Sequence, residues 1–300
     1  MAQPYIITVI LNTNRCNDTL EALASLKLNT YENHRIIVLD NASTDGSVQA
    51  ISAEFPEVRI IELEKNLGYA GNNNVGIKVA LAEGADWVLV LNEDTILAQE
   101  CLSKLSEAGQ GDPQIGILGP MVYHHNEPDV IQSAGGKLGH NWQTWHIAQN
   151  EKDQGQLSQP HTVDWISGCA LLVRRQVIEQ VGMLDERFFY YFEETEWCMR
   201  ARERGWVIMH VPQAKLWHKG VQRDYHPSPN VTYYATRNRF LMLAKHKAPI
   251  RVWIATLLLT MGTLTSWSIK PKWQSMHEHR DAMWQGTLDY LRHRWGMRSV

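Results

Sequence analysis

In this 300-residue chain the residues best placed to do chemistry begin in Asp86–Leu97, DWVLVLNEDTIL. The unbroken Val/Leu run Trp87–Leu91 reads as a central parallel strand covered on both faces. It stops abruptly and delivers Asn92, Glu93 and Asp94 to its carboxyl end, where open α/β sheets bind ligands. Two adjacent carboxylates there are costly unless something neutralises them, and a divalent cation carrying phosphate oxygens is the usual solution. The plain alternative is a turn with a helix cap.

Three earlier strands are needed to position that edge: Tyr5–Leu11, Arg35–Leu39 and Val58–Leu63. Helices alternate with them, one capped by Asp18 and running through Leu28, one from Ser47 to Glu54, one over Val75–Glu83. Such alternation predicts a doubly wound parallel sheet over about the first hundred residues. The loops Asn12–Arg15, Asp40–Ser47, Asn66–Asn74 and Asn92–Thr95 then share one sheet edge. That is a nucleotide-binding layout. No GxGxxG follows the first strand and no Walker sequence occurs, which disfavours NAD and P-loop ATP chemistry. Asp40 is placed either to hydrogen-bond a base or ribose or simply to start a turn.

Farther on, strands are expected at Ile115–Tyr123, Val163–Val173 (broken at Ser167–Gly168), Val207–Val211 and Ala214–His218, with a polar surface excursion at Gln132–Gln159. A helix spans Arg174–Val181, and the second half of Asp185–Trp206 is helical. Beyond Tyr233 the pattern is helical and basic. Val252–Trp267 is a 16-residue stretch without charge, short of the roughly 20 residues of a span, so it reads as an interfacial or a packed helix.

The net charge of -3 conceals an asymmetry. Residues 1–214 carry 15 Lys+Arg against 28 Asp+Glu, and residues 215–300 carry 14 against 4, nets of -13 and +10. The basic end points to an anionic partner such as lipid headgroups or phosphates, or to an internal match with the acidic part. Four scattered cysteines without a CxxC pair fit a reducing cytosol, and Met1–Pro4 runs into IITVIL without a basic leader, so no signal is expected.

Seven stretches occur in the order seen in family 2 glycosyltransferases: LDNASTDGS, NLGYAGNNNVGI, LNEDT, ISGCALLVRR, LDERFFYYFEETEWCMRARERGW, LWHKG and YYATRNRFLMLAKH. The chain most resembles the bacterial rhamnosyltransferase branch, from Ile6 to about His246, with WQGTLDYLRHRWG similar to that branch's closing segment. The resemblance implies an α/β fold of GT-A type, a mostly parallel central sheet with helices on both faces, in residues 1–245; the basic charge of the helical extension 246–300 is expected to hold it at a membrane. The resemblance also implies an inverting, metal-dependent transferase.

By that resemblance Asp94 and His218 are metal ligands for Mn²⁺ or Mg²⁺, while Asn92, standing where Asp is common, is placed to hydrogen-bond ribose or phosphate without charge, and Glu93 either points away or supports Asp94 in the nucleotide-sugar site. Glu194 occupies the base position, though relatives usually carry Asp, and Glu193 is the second candidate. Asn12, Asn14, Asp40, Asn66, Gly71 and Asn74 fall in the nucleotide-sugar loops, with Thr13 replacing an aromatic residue. Trp165, Ser167 and Gly168 resemble the loop beside donor sugar and acceptor, and Arg237 sits in a basic motif that is either a lipid-diphosphate contact or a helix face. The implied activity is transfer of L-rhamnose from dTDP-L-rhamnose to a glycan or polyprenyl-diphosphate-linked saccharide on the cytoplasmic membrane face, with no nucleic-acid partner. The alternatives are another donor such as a UDP-hexose, or a non-catalytic glycan- or lipid-binding relative.

Overall fold

The computed structural model describes residues 3–299. In its first part β1 (Ile6–Asn12), α1 (Cys16–Lys27), β2 (His34–Asp40), α2 (Ser47–Glu54), β3 (Arg59–Glu62), α3 (Gly68–Ala82) and β4 (Trp87–Asn92) alternate as expected. Then follow β5 (Thr95–Leu97), α4 (Cys101–Gly111), β6 (Ile115–His124), β7 (Ile131–Ser133), β8 (Gly136–Leu138), β9 (Thr144–His146), β10 (His161–Thr162) and β11 (Ala170–Arg174). The chain closes with α5 (Arg175–Val181), α6 (Glu193–Glu203), β12 (Val207–His218), α7 (Pro229–Lys245), α8 (Ile250–Ile269), a 3₁₀ turn at Pro271–Met276 and α9 (His277–Leu291).

The main sheet runs β10-β12-β6-β11-β4-β1-β2-β3, with β5 added to β12 and β7 to β6. Pairings β3–β2, β2–β1, β1–β4 and β6–β12 are parallel, and β11 is the antiparallel insert between β4 and β6. The unbroken apolar strands alternate faces within the sheet. Ile6, Ile10, Val38, Leu89 and Leu91 fill one core, while Ile7, Val9, Ile37, Leu39, Val88 and Val90 fill the other. Helices cover both faces, which selects apolar residues at these positions; Thr8, buried in the middle of β1, is a polar exception and is held by His34 at 2.8 Å.

Between β1 and β4 the winding reverses, and this is where the doubly wound sheet opens a crevice. Register sets its rim: Leu11 lies beside Asn92 and Asn12 beside Asp40.

Two expected loops differ. The Gly/Asn stretch expected as a loop through Asn74 is helix from Gly68 onward, so Gly71 and Asn74 lie inside α3. The helix is held by burial rather than propensity. Gly76 presses on Val9 and Leu39 of the sheet, where a Cβ would clash, and packing overrides the cost of Gly in a helix. The excursion at Gln132–Gln159 contains β7, β8 and β9, and Gln132 itself is buried.

The C-terminal helices form a layer of their own. Gly286 of α9 lets its backbone approach the Tyr233 carbonyl of α7, a contact any side chain would block. The apolar stretch read as 16 residues belongs to a 20-residue helix, α8, whose buried residues are Val252, Thr256, Thr260 and Leu264.

Candidate active site

At the end of β4, Asp94 and His218 meet through pairing of β5 with β12, which sets Thr95 against His218. His218 Nε2 lies 3.1 Å from Asp94 Oδ1, yet that buried oxygen has no aligned hydrogen-bond donor. The cause lies on the far side of the imidazole. Gln132 Nε2 donates to the Val221 carbonyl, so its Oε1 accepts from His218 Nδ1 at 2.8 Å. A neutral ring with its proton on Nδ1 turns the Nε2 lone pair toward the carboxylate. Two lone pairs facing each other call for a cation.

The spacing fits one. Bonds of about 2.1 Å at right angles on an octahedral Mg²⁺ place neighbouring ligand atoms about 3.0 Å apart. Gly220 keeps the space open, since a Cβ there would fall onto Asp94 Oδ2 and 3.2 Å from His218 Nε2. Among the described residues no cluster of three His, Cys, Asp or Glu side chains could hold a metal. Asp94 and His218 therefore suit a cation that takes its remaining oxygens from phosphate and water.

Arg15 reaches over the same rim, 3.7 Å from Glu93 Oε1 and 3.9 Å from Asp94 Oδ2. Burial and the Asp94 charge push Glu93 up to about 7. Asn92 Nδ2 stands at a long 3.5 Å from His218 Nε2.

A second acidic group lies close by, since the Cys169 thiol feels the charges of both Asp94 and Glu194. The Asn92 amide donates to the Cys169 carbonyl at 3.0 Å, which ties β4 to the loop carrying Ser167 and Gly168. A Cβ on Gly168 would lie 3.7 Å from both Glu194 Cγ and the Tyr69 hydroxyl, and that hydroxyl donates to the Gly168 carbonyl. Glu194 is half-buried and takes a 3.0 Å hydrogen bond from Thr195 Oγ1. Glu193 is buried, and its Oε2 has no partner. Burial raises both carboxyls, and Glu194's charge raises Glu193 further, well above the ordinary value. Burial and the charges of Glu193, Glu194 and Glu93 likewise hold the Tyr69 phenol far up. Glu196, the last acid of the cluster, is ion-paired to Arg200, Lys245 and His246.

Residues 6–182 match the family model "Glycosyl transferase family 2". The chain belongs to this family. It is 32% identical over 257 residues to an N-acetylglucosaminyl-diphospho-decaprenol L-rhamnosyltransferase of Mycobacterium tuberculosis, covering 76% of this chain and 82% of that protein. It is 28% identical over 272 residues to the dTDP-rhamnosyl transferase RfbF of Shigella flexneri, covering 87% of each. A mannosyltransferase from Pyrobaculum calidifontis, solved with GDP-Man and Mn²⁺, superposes with a TM-score of 0.61 at 13% identity, covering 98% of this chain and 89% of that one. TarS of S. aureus, residues 1–349, gives 0.59 at 15% identity, covering 97% and 82%. These likenesses carry the GT-A-type fold.

Other expected site residues of the glycosyl transferase brace its loops. Asn12 is buried and donates to Asp40 at 2.7 Å and to Ser43, and Asp40 also caps the Ser43 amide at 2.9 Å, a turn-forming role. Asn14, at φ 52°, pins Thr44. Asn66 caps Gly68 at 2.8 Å. Gly71 lies against Leu67 within α3, and Asn74 bonds both backbone groups of Leu184. Trp165 is buried over Gly136 with its indole N–H on the Lys137 carbonyl.

Arg237 is a correction. It is neither a surface helix face nor free to meet a diphosphate. Its guanidinium is fully buried and donates to the carbonyls of Arg187, Phe188 and Gly296, the Tyr233 hydroxyl and Asn238 Oδ1. Asn238 Nδ2 donates to the carbonyls of Phe188, Tyr190 and Tyr191 at 2.7–2.8 Å. The turn they grip holds Phe189, Tyr191 and Phe192 at φ of 61°, 71° and 71°, conformations that cost about 1–3 kcal/mol each for non-glycine residues. Glu193 follows directly, so this clamp aims the two carboxylates. Residue pattern marked neither this role nor those of Gln132, Arg15 and Tyr69; only the aromatic run before the acids hinted at it.

Proposed function

We propose that this family 2 glycosyl transferase moves L-rhamnose from dTDP-L-rhamnose, by a metal-dependent inverting displacement, onto a polyprenyl-diphosphate-linked saccharide of bacterial surface polysaccharide synthesis. The observation that carries the chemistry is the nearness of two acidic groups at the end of β4, both acting on Cys169: Asp94 with its orphaned oxygen beside His218, and the raised Glu193–Glu194 pair beside Gly168. The donor and acceptor classes follow the two rhamnosyltransferases that the chain resembles.

In this reading Asp94 and His218 hold Mn²⁺ or Mg²⁺, which when bound neutralises charge on the departing nucleoside diphosphate. Arg15 takes a share of that charge from the rim. Glu194 accepts the proton of the acceptor hydroxyl as its oxygen attacks the anomeric carbon from the face opposite the nucleotide. The new glycosidic C–O bond forms while the bond to the diphosphate breaks, and the electron pair leaves with the phosphate oxygen. Glu193, buried and the more strongly raised of the pair, holds its proton more tightly than Glu194, which is left as the carboxylate that ionises first.

Donor and metal are tested by thermal shift with dTDP-rhamnose, UDP-glucose, UDP-galactose and GDP-mannose, each with and without Mn²⁺. At about 100 times Kd a ligand adds about 2.7 kcal/mol, several degrees of Tm for a domain of this size. The expected result is a shift with dTDP-rhamnose only when metal is present. A shift with a UDP-sugar instead would replace the donor, and none at all would return the chain to a non-catalytic binder.

The membrane-surface placement rests on α8. Its buried stripe contains Thr256 and Thr260, while Ile254, Leu257, Leu258, Leu259 and Met261 face outward, the reverse of a helix on a water-facing protein. The helix is long and apolar enough to cross a bilayer. A span is disfavoured because Arg280 and Asp281 of α9 line a crevice with its Leu264 and Ile269 and would be drawn into hydrocarbon. We therefore place it in the interface, with Arg251, Lys270 and Lys272 toward anionic headgroups. Flotation with phosphatidylglycerol vesicles should lose at least tenfold in binding for the Leu258→Glu/Met261→Glu double variant. Unchanged flotation would remove α8 from the contact.

A further inference from the structure

Between α7, α8 and α9 lies a crevice of about 420 Å³ that the transfer chemistry above does not use. Ala235 and Thr236 form one wall, Leu259, Thr263 and Trp267 another, and Met283 of α9 a third. Phe192 completes the lining and is the residue directly before Glu193. One side of the crevice is thus the helix that turns its apolar residues outward, and another includes Phe192, the residue before the Glu193–Glu194 pair.

No carboxylate lines the crevice among the described residues, and its one charge is Arg239. That guanidinium donates through Nε and Nη2 to Thr256 Oγ1 at 3.3 and 3.0 Å, and through Nη2 and Nη1 to the carbonyls of Asn141 and Trp142 at 2.8 and 3.1 Å, all neutral acceptors. Unlike the fully buried Arg237, it is part-exposed at the crevice and keeps one Nη1 hydrogen unspent among the described residues. Burial holds its pKa below the ordinary value. A cation kept in an apolar wall without a counter-charge is costly on its own and complementary to an anion carried on an apolar chain.

We propose that this crevice binds the first isoprenoid units and proximal phosphate of a polyprenyl-diphosphate-linked acceptor, with Arg239 taking the phosphate. The chain enters from the membrane side at α8, and the saccharide it carries is delivered past Phe192 to Glu194. This rests on the transferase reading of Glu194 and adds the lipid half of its acceptor. Charge complementarity favours an anionic prenyl lipid over a second copy of the chain or an uncharged lipid.

The test is equilibrium binding of geranylgeranyl diphosphate to the full-length protein, with dTDP-rhamnose thermal shift read in parallel as a check on fold and donor site. Ala235→Trp and Thr263→Phe fill the crevice from opposite walls, and each should weaken binding at least tenfold while the donor shift persists. Arg239→Gln should weaken geranylgeranyl diphosphate at least tenfold and leave uncharged geranylgeraniol within twofold. The proposal is overturned if neither filling variant weakens binding, if inorganic diphosphate displaces the ligand completely, or if palmitate binds equally well. Transfer of the ligand to phosphatidylglycerol vesicles regardless of variant would also overturn it, since the bilayer alone would then be the site. A missing donor shift in the wild type with saturable prenyl binding would strike the transferase reading and leave the crevice standing.

Discussion

Glu194→Gln should lower kcat by about 10²–10⁴-fold, the usual worth of a positioned general base, with the metal-dependent donor shift retained. The side chain keeps its shape, its neighbour Gly168 and its bond to Thr195, so only proton acceptance is lost. Glu193→Gln should behave differently. Because burial raises both carboxyls and Glu194's charge raises Glu193 further, folding favours their protonated forms. A carboxyl raised in the folded state contributes stability below its unfolded pKa of about 4.3, and that contribution is lost as pH rises through the folded value. At neutral pH the pair therefore opposes folding, and Glu193→Gln should raise stability by about 0.5–2 kcal/mol with a smaller loss of kcat than at Glu194. The acid limb of kcat/KM should lie above the ordinary carboxylate range because Glu194 is buried, and Glu193→Gln should leave it close to its wild-type position, since Glu193 is already the protonated member of the pair. If Glu193→Gln abolishes turnover while Glu194→Gln spares it, the two carboxylates exchange roles.

The contrast between these acids also shows where reading residues in order succeeds. Strand β4 was legible because a buried parallel strand must be apolar throughout, and its abrupt end at Asn92 marked the site. The sheet-edge loops were legible for the same reason. The helix α3 was not, because Gly68, Gly71 and three consecutive asparagines are local breakers, and only close packing of Gly76 on Val9 shows why the backbone coils there. Gln132 lay in a polar excursion with no period, and its task depends on β6 and β12 bringing His218 to it over 86 residues of chain. His218 itself entered through family resemblance, since a histidine after an apolar strand carries no positional information alone. Arg237 misled for a physical reason: a basic residue in a basic segment reads as surface, whereas here every guanidinium nitrogen is absorbed by buried acceptors. The left-handed backbone at Phe189, Tyr191 and Phe192 creates those acceptors, and bulky aromatic residues are the last to announce such dihedrals.

At the end of β4, Asp94→Asn should abolish the Mn²⁺-dependent part of the donor shift and lower kcat/KM by about 10³-fold or more. A bound metal is worth several kcal/mol of charge stabilisation on the leaving phosphate, and each 1.36 kcal/mol is tenfold in rate. Asn matches Asp in volume, so the strand end and the 2.9 Å bond from the Lys219 amide to the Asp94 carbonyl remain, but one anionic ligand is gone. Gln132→Leu offers the finer test of the same geometry. Without Oε1 to accept from Nδ1, His218 is free to place its proton on Nε2 and donate to Asp94 Oδ1, which spends the lone pair that faces the carboxylate. The expected consequence is a 10–100-fold weaker apparent Mn²⁺ constant, measured by titrating metal in the donor shift, with turnover recovered at high Mn²⁺. Asp94→Asn should show no such recovery. If Gln132→Leu left the metal constant untouched, the imidazole would not be a ligand. If Asp94→Asn kept a full Mn²⁺-dependent shift, the orphaned oxygen beside His218 would serve some purpose other than holding the cation.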